Sequence, residues 1–392
     1  MSPAANIFGA PIQFHRKTLG EVIEFKRGYD LPSKERLTGD FPIISSSGKT
    51  GSHLSHKVEG PGVITGRYGT LGEVFYEKND FWPLNTTLYV KDFKGNEPKF
   101  IYYFLKTLDF WSFSDKAAVP GLNRNDLHTA KILFPTDTRY QKSIASILSA
   151  LDDKIDLNRR TNETLEAMAR ALFRDWFVDF GPTRAKMAGQ APYLAPEIWE
   201  IFPDKLDDEG KPEGWIKQCL RDILTLNYGK SLPSDRRVAG EIPVYGSGGA
   251  SGFHNELLIT GPAIIVGRKG TVGSLYWEDQ NCFPIDTVFY VSSSTPLVYC
   301  FYLLQTLGLE SMNTDAAVPG LNRDNAYRLE IPTPPGALVD QFSIKSGQWR
   351  QKIRFNNKEN SSLAQIRDLL LPKLMSGEIR IRDAEKMVAD AL

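Results

Sequence analysis

The sequence predicts an α+β chain: two tandem mixed α/β globules, each followed by a long helix, with the two helices pairing as an antiparallel coiled coil of pseudo-two-fold symmetry. Three observations carry this. The chain repeats itself with a period near 200 residues, each repeat holds short β-rich runs divided by Gly and Pro, and each ends in a stretch with a 3 and 4 apolar rhythm. Solenoid units run about 20 to 50 residues, so a period this long is a duplicated domain. The expected organisation is a first globule over 1–136, a long helix over 137–180, a connector over 181–214, a second globule over 215–336, a second long helix over 337–378 and a C-terminal tail over 379–392.

The repeat is explicit. Shifted by 201, Leu19–Val90 aligns with Leu220–Val291 without a gap, and 25 of the 72 positions are identical. The matches concentrate in residues that fix turns and close backbone approaches, such as Gly28 and Gly229, Gly60-Pro61 and Gly261-Pro262, and the motif G-R-x-G-T-x-G at Gly66–Gly72 and Gly267–Gly273. With a shift two residues smaller, Ala117–Arg124 (AAVPGLNR) recurs unchanged as Ala316–Arg323. Runs such as Gly62–Thr65, Val74–Tyr76, Thr87–Val90, Ala263–Val266 and Val288–Val291 predict strands, and a helix is expected over Lys99–Leu108 with its counterpart over Leu297–Leu307.

The stretches after each globule are different in kind. Leu148, Leu151, Ile155, Asn158, Asn162, Leu165, Ala169, Leu172 and Trp176 step by 3 and 4, as do Phe342, Ser346, Trp349, Ile353, Asn356, Asn360, Leu363, Arg367 and Leu370, the second run ending near Pro372 and Gly377. That is a heptad seam on a rod of ~60 Å. Asn158, Asn162, Asn356 and Asn360 stand mid-seam. Either they set the register, since an amide facing leucine loses its hydrogen bonds, or they are partly exposed. Five Pro and three Gly between Gly181 and Trp215 mark a connector.

Composition narrows the function. Lys+Arg and Asp+Glu are both 47, which argues against a protein that holds nucleic acid alone through a strongly basic surface and leaves room for local basic patches. The three cysteines, Cys219, Cys282 and Cys300, have no C-x-x-C spacing, so a reducing compartment and no metal site are expected. Met1–Asn6 lacks a basic start and apolar run, and no 18 apolar residues run together, so a cytoplasmic, membrane-free protein is expected. Ser47–Thr50 resembles the end of a phosphate loop, but Ile43 occupies the position that pattern needs as Gly. Asp204, Glu209 and Lys211 resemble a nuclease metal set but sit in a Pro- and Gly-rich connector, and no G-x-S-x-G or H-E-x-x-H occurs. No catalytic residue is assigned.

In this order, the two G-R-x-G-T-x-G segments, the two A-V-P-G-L-N-R segments, the helix Ile144–Phe177 ending in Leu172-Phe173-Arg174-Asp175-Trp176-Phe177, the connector ending Pro212-Glu-Gly-Trp215, and Leu369–Leu374 with Gly377 resemble the specificity subunit of type I restriction-modification systems. The resemblance covers nearly the whole chain. It implies a non-catalytic subunit whose two globules are target recognition domains, each reading one half of a split, asymmetric double-stranded DNA site. The helices would set the spacer and dock two modification subunits that methylate adenine N6, and restriction subunits would join them. S-adenosylmethionine, ATP and Mg²⁺ would belong to those partners and no cofactor to this chain.

Positions that vary on a common frame are the expected readout sites: Ser45-Ser46-Ser47-Gly48-Lys49 stands where the second copy has Gly246-Ser247-Gly248-Gly249-Ala250, which makes Ser45, Ser46, Ser47, Lys49, Ser247 and the adjacent Tyr245 candidates, and Tyr68 stands against Lys269. Arg67, Thr70, Arg268 and Thr271 stand in the shared turn, and a shared Arg points to phosphate contact or to bracing the fold. Asn123, Arg124, Asn322 and Arg323 face the same choice, with a structural role favoured at the globule-to-helix junction. His53 and His254 align and are expected in a turn or facing DNA. Trp176, Phe177, Leu370 and Leu374 are expected to bind a partner subunit, or the terminal Trp to cap the rod on its own globule. A different class of function, carbohydrate binding on platforms such as Trp82 and Trp277, predicts a secretory leader and no Asn-centred rods.

Overall fold

The computed structural model describes residues 13–114, 121–313 and 320–392. Ala117–Pro120 and Ala316–Pro319, the first halves of the two AAVPGLNR segments, lie outside the described residues. The chain forms two compact units: residues 1–158 with 358–392, and residues 159–357.

The first globule holds β1 (Phe14–Thr18), α1 (Leu19–Val22), β2 (Glu24–Arg27), β3 (Phe41–Ser45), β4 (Gly48–His53), β5 (Gly62–Gly66), β6 (Val74–Glu77), β7 (Trp82–Pro83), β8 (Thr87–Asp92), α2 (Pro98–Leu105), α3 (Arg124–His128) and β9 (Lys131–Pro135). An antiparallel sheet runs in the order β2-β8-β5-β6 and a second in the order β4-β3-β7, where β3 and β7 are parallel. Strand β5 is buried along its whole length, as a central strand covered on both faces must be. Its Ile64 sits opposite Tyr89 of β8 and Phe75 of β6. Helix α2 opens on Pro98, which needs no N–H partner there, and buries Phe100, Ile101, Tyr103, Phe104 and Leu105. Strands β1 and β9 pair antiparallel and deliver the chain into α4 (Thr138–Phe177), a helix of 40 residues.

The stretch expected as connector is packed against the second unit. It contains α5 (Gly181–Met187) and α6 (Pro196–Trp199), and Phe180, Ala185, Trp199, Phe202 and Trp215 are buried in the core of that unit. The second globule repeats the first: β10 (Ile216–Cys219), α7 (Leu220–Ile223), β11 (Thr225–Tyr228), β12 (Ile242–Gly246), β13 (Gly249–His254), β14 (Ala263–Gly267), β15 (Leu275–Glu278), β16 (Phe283–Pro284), β17 (Val288–Ser292), α8 (Leu297–Gln305), α9 (Arg323–Tyr327) and β18 (Glu330–Thr333). Its sheets order as β11-β17-β14-β15 and β13-β12-β16, the same arrangement strand for strand. Helix α10 (Gly336–Ser376) has 41 residues, and α11 (Ile381–Ala389) follows it. Among the described residues, no helix is long and apolar enough to cross a membrane.

Helix α10 runs through Pro372. Proline removes one backbone donor inside a helix, but Leu370, Leu371, Leu374 and Met375 on both sides are buried in the first unit and hold the helix together. The helix stops at Gly377, whose φ of +74° puts it in the left-handed region that favours glycine, with the Ile379 N–H donating back to the Lys373 carbonyl.

Within each unit the two long helices run antiparallel. In the first unit Leu148, Leu151 and Ile155 share a core with Leu363, Leu370 and Leu374. In the second, Phe173, Trp176 and Phe177 of α4 pack on Phe342 of α10 at ring-centroid distances of 5.3, 6.4 and 5.5 Å. Each such buried side chain is worth about 1.5 to 3 kcal/mol. The seam asparagines bond across the helices: the Asn158 amide donates to Asn360 at 2.9 Å and to Glu359 at 2.6 Å, while Asn162 donates to Asn357 at 2.9 Å and accepts from Asn356 at 2.8 Å. Asn158 and Asn356 are buried, whereas Asn162 and Asn360 are half-buried.

A polar clasp holds each globule on its helices. In the first unit, the Tyr103 hydroxyl of α2 donates to Asp152 of α4 at 2.6 Å, and Arg367 of α10 donates to the other oxygen of that carboxylate at 2.7 Å. In the second, Tyr302 of α8 donates to Glu166 of α4 at 3.2 Å, and Arg350 of α10 pairs with Glu166 at 2.9 Å while lying over the rings of Trp277, Phe301 and Tyr302. Helix α4 supplies the carboxylate in both clasps and α10 the arginine. Burial, and then the charge of Asp152, push the Tyr103 phenol well above the ordinary range, so it remains a donor at all working pH values.

Replacing Arg367 by Met leaves Asp152 half-buried without its charged partner. Chemical denaturation is expected to show a loss of about 2 kcal/mol for the first unit. Combined with Tyr103→Phe, the losses are expected to be non-additive, since both residues bond one carboxylate; strict additivity would show that the three do not act as a clasp.

Candidate nucleic-acid interface

In each globule the two shared motifs fold onto one another. The chain leaves β5 into the turn Gly66–Gly72. A Cβ at Gly66 would lie 2.0 Å from the Thr70 carbonyl oxygen, and Gly69 has a φ of +83°, so neither position accepts a side chain without moving the turn. The Arg67 N–H donates to Thr86 at 2.8 Å, and the Arg67 carbonyl accepts from the Leu122 N–H at 2.9 Å. Tyr68 bridges Gly121, where a Cβ would strike the Tyr68 ring. The second globule repeats this: Arg268 donates to Thr287 at 2.9 Å and accepts from Leu321 at 2.8 Å, and Lys269 bridges Gly320. Asn123 and Asn322 cap the short helices that follow, accepting from the backbone of Asn125 at 3.0 Å and of Asp324 at 2.9 Å. Their amide oxygens therefore serve the junction.

The hairpin tips join this surface. The Ser46 side chain lies beside Gly66 and Gly69, and Ser247 lies beside Gly270. Ser47, Lys49, Tyr68 and Thr70 are exposed in the first globule, and Lys269 and Thr271 in the second. Ser46, Arg67, Ser247, Arg268 and Arg323 are half-buried, and Arg124 is exposed. The structure thus brings most of the expected readout residues of each globule to one place.

Several expectations are corrected. His53 and His254 do not face a ligand: both are buried, and each ring Nδ1 accepts a backbone N–H from 16 residues upstream, Leu37 at 3.1 Å and Val238 at 3.1 Å. Ser45 is buried and bonded to Ser47 and the Gly48 carbonyl. The Tyr245 hydroxyl donates to Glu278 at 2.8 Å, so it is engaged inside the domain. Trp176, Phe177, Leu370 and Leu374 are buried in the cores of their own units and offer no docking surface; the terminal Trp packs against Phe202 and Phe342. Trp82 is buried, and Trp277 is covered by Arg350 and Phe301, so neither is a sugar platform. In the connector Asp204 pairs with Lys186, and Glu209 pairs with Lys211 and Lys217, so these carboxylates do not converge.

One feature escaped the sequence reading. In the first globule Arg27 at the end of β2 joins Arg67 and Arg124 around a cleft of about 500 Å³, whose walls also include Tyr68, Leu88 and Leu122. Arg67 lies over the Tyr68 ring at 4.5 Å and donates to its hydroxyl at 3.2 Å. The position of Arg27 belongs to Tyr228 in the second copy, so the alignment, which draws the eye to identities, passes over it.

A model of the type I restriction modification DNA specificity domain matches residues 11–167 and again residues 212–341. The chain belongs to this family. Among curated members, the HindI specificity subunit of Haemophilus influenzae is 26% identical over 362 residues, covering 72% of this chain and 77% of that one. The MjaIX specificity subunit of Methanocaldococcus jannaschii is 28% identical over 354 residues, covering 80% and 76%. The crystal structure of a type I restriction-modification S subunit from Mycoplasma genitalium superposes with a TM-score of 0.60 at 20% identity over 95% of this chain and 99% of that one. The type I specificity fold is therefore shared along nearly the full length. The two family segments begin ahead of β1 and β10; the first spans its globule and most of α4, and the second its globule and the first turns of α10.

His128 at the end of α3 offers a pH test of the first frame. Its Nε2 accepts the Phe25 N–H at 2.9 Å, which requires the neutral ring, and burial followed by the nearby Arg124 charge holds its pKa below the ordinary value. A depressed histidine pKa makes its contribution complete above about 6.5, the unfolded value, and lost as pH falls through the lower folded value. Melting temperature is expected to drop over that acid range more in the parent than in His128→Gln, which keeps an acceptor but cannot titrate; parallel pH curves would refute this.

Proposed function

We propose that each globule reads one half of a split, asymmetric sequence in double-stranded DNA, and that α4 and α10 fix the number of unread base pairs between the halves. The chain then works by recognition and positioning. Two modification subunits docked on it would methylate adenine N6 in the read sequence, with the methyl donor bound by those subunits, and restriction subunits would complete the assembly. The four seam asparagines serve the helix register in this reading, since a slipped pairing leaves Asn158 or Asn356 facing apolar neighbours.

The observation that carries the reading is the frame that the two globules share. The same backbone bonds tie G-R-x-G-T-x-G to G-L-N-R in both, while several exposed positions on that frame differ: Tyr68 against Lys269, and Ser47 and Lys49 against Gly248 and Ala250. A frame kept while its outward side chains change is what two readers of different sequences need. Backbone and phosphate contacts position a reader, and side chains at base edges make it specific. The balanced charge of the chain fits a subunit that shares phosphate neutralisation with its partners.

Single-molecule sequencing of N6-methyladenine, in cells carrying the chain with its modification subunit, is expected to show one split motif that disappears on deletion. Lys269→Ser is expected to relax or alter the second half-site alone, at a cost of about 1 to 3 kcal/mol against the parent base, and Tyr68→Ser the first half-site alone. Removing one heptad from α4 together with the facing heptad of α10 is expected to change the spacer and leave both half-sites intact. A parent motif unaltered in both halves by Lys269→Ser would disprove the placement of the reading surface.

A further inference from the structure

We propose that the cleft of the first globule is a seat for a DNA backbone phosphate, that Arg27 makes it one, and that the second globule lacks this contact because Tyr228 fills the equivalent space. The proposal rests on the DNA-reading function above and adds an asymmetry to it: the two readers hold the phosphate backbone differently.

The chemistry of the cleft walls favours phosphate. Three guanidinium groups, from Arg27, Arg67 and Arg124, border one cleft of about 500 Å³. Arg27 has only a loose, exposed contact with Asp30 at 4.0 Å, and among the described residues Arg67 and Arg124 form no ion pair with a carboxylate. Guanidinium donates and never accepts. The one amide on the wall, that of Asn123, already spends its oxygen on the Asn125 N–H. Guanine also offers an arginine two acceptors, but its edge has room for one guanidinium, whereas a phosphate group presents acceptor oxygens in several directions and pairs with guanidinium in bidentate fashion. Like charges gathered in a cleft repel, and an anion placed among them relieves that repulsion.

The second globule has the same arginines and a different outcome. The Tyr228 ring lies 4.9 Å from the Arg268 guanidinium and 4.9 Å from that of Arg323. Phe289 and Tyr327, at 5.8 and 5.7 Å, add further aromatic surface where the first globule has Leu88 and His128. Arg268 donates inward to the Asp286 carbonyl at 2.8 Å. Stacked on rings and bonded to backbone, these arginines brace their own domain.

The test measures binding of the complete methylating complex to a duplex carrying its split site, as a function of salt. The variants are Arg27→Tyr, Arg27→Lys and, as a charge-loss control on the connector, Lys205→Gln. Arg27→Tyr is expected to reduce the slope of log affinity against log salt by about 1 and to weaken cognate and half-site-mutated duplexes by the same factor, leaving the methylated sequence as it was. Arg27→Lys is expected to keep the parent slope, which separates loss of charge from loss of fold, and Lys205→Gln is expected to do the same. An unchanged slope in Arg27→Tyr overturns the proposal, as does an equal reduction in Lys205→Gln. Relaxed recognition at one base pair of the first half-site would also overturn it, by making Arg27 a base reader. A parent complex that binds no split site would instead remove the function on which the proposal rests.

Discussion

The two tyrosine–carboxylate–arginine clasps are the contacts on which the rest of the molecule depends. A domain that reads DNA is of use as a ruler only if its angle on the spacer is fixed, and hydrophobic packing alone is non-directional. Tyr103 on Asp152 and Tyr302 on Glu166 supply the direction, because each hydroxyl must meet a carboxylate that an arginine of the facing helix already holds. Slipping either helix by one residue breaks the arginine contact and the tyrosine contact together. The cross-helix asparagine bonds add to the same constraint further along the seam.

Above this foundation the globules divide labour between backbone and side chain. The bond from Leu122 to Arg67, and its equivalent from Leu321 to Arg268, locks the shared turn to the segment that leads to the long helix. Position is thereby decided by main-chain geometry, and the residues at positions 68 and 269 are free to change without moving the frame. The arginines of the turn show how far such change can go. Arg67 borders an open cleft, whereas Arg268 lies over the adjoining rings of Tyr228 and Phe289, so one motif gives a cationic surface in one domain and a brace in the other.

Much of this architecture was legible in the chain. Glycines with positive φ recur at matching places, the strand runs are short and bounded by turn residues, and the 3 and 4 rhythm marks both helices. The errors have physical causes. An apolar helix end looks the same whether it docks a partner or packs on its own domain, so the sequence leaves both roles open for Trp176 and Phe177 and the structure selects the second. For the two aligned histidines the sequence leaves a turn or a DNA-facing role open, and a ring nitrogen accepting a backbone N–H leaves no trace in composition that would decide between them. Arg27 was missed because the repeat shows where the copies agree, and its importance lies in where they differ. The clasps were illegible for a similar reason: Asp152, Glu166 and Arg350 read as ordinary charges on long polar helices, and Arg367, though on the seam, has no visible partner until the fold brings them together.

The clasps also carry a lesson about ancestry. A duplicated gene starts with halves that are interchangeable, and two copies of either half could then assemble in place of the whole. At an offset of 198, Asn356 and Asn360 fall on Asn158 and Asn162, and Arg350 falls on Asp152. In the observed register, two copies of the first half would therefore set Glu166 against Asp152, and two copies of the second half would set Arg367 against Arg350. Either assembly faces like charge with like across a partly buried seam. At these positions the two halves are complements: the first supplies both carboxylates and the second both arginines, and their covalent union keeps the opposite charges together.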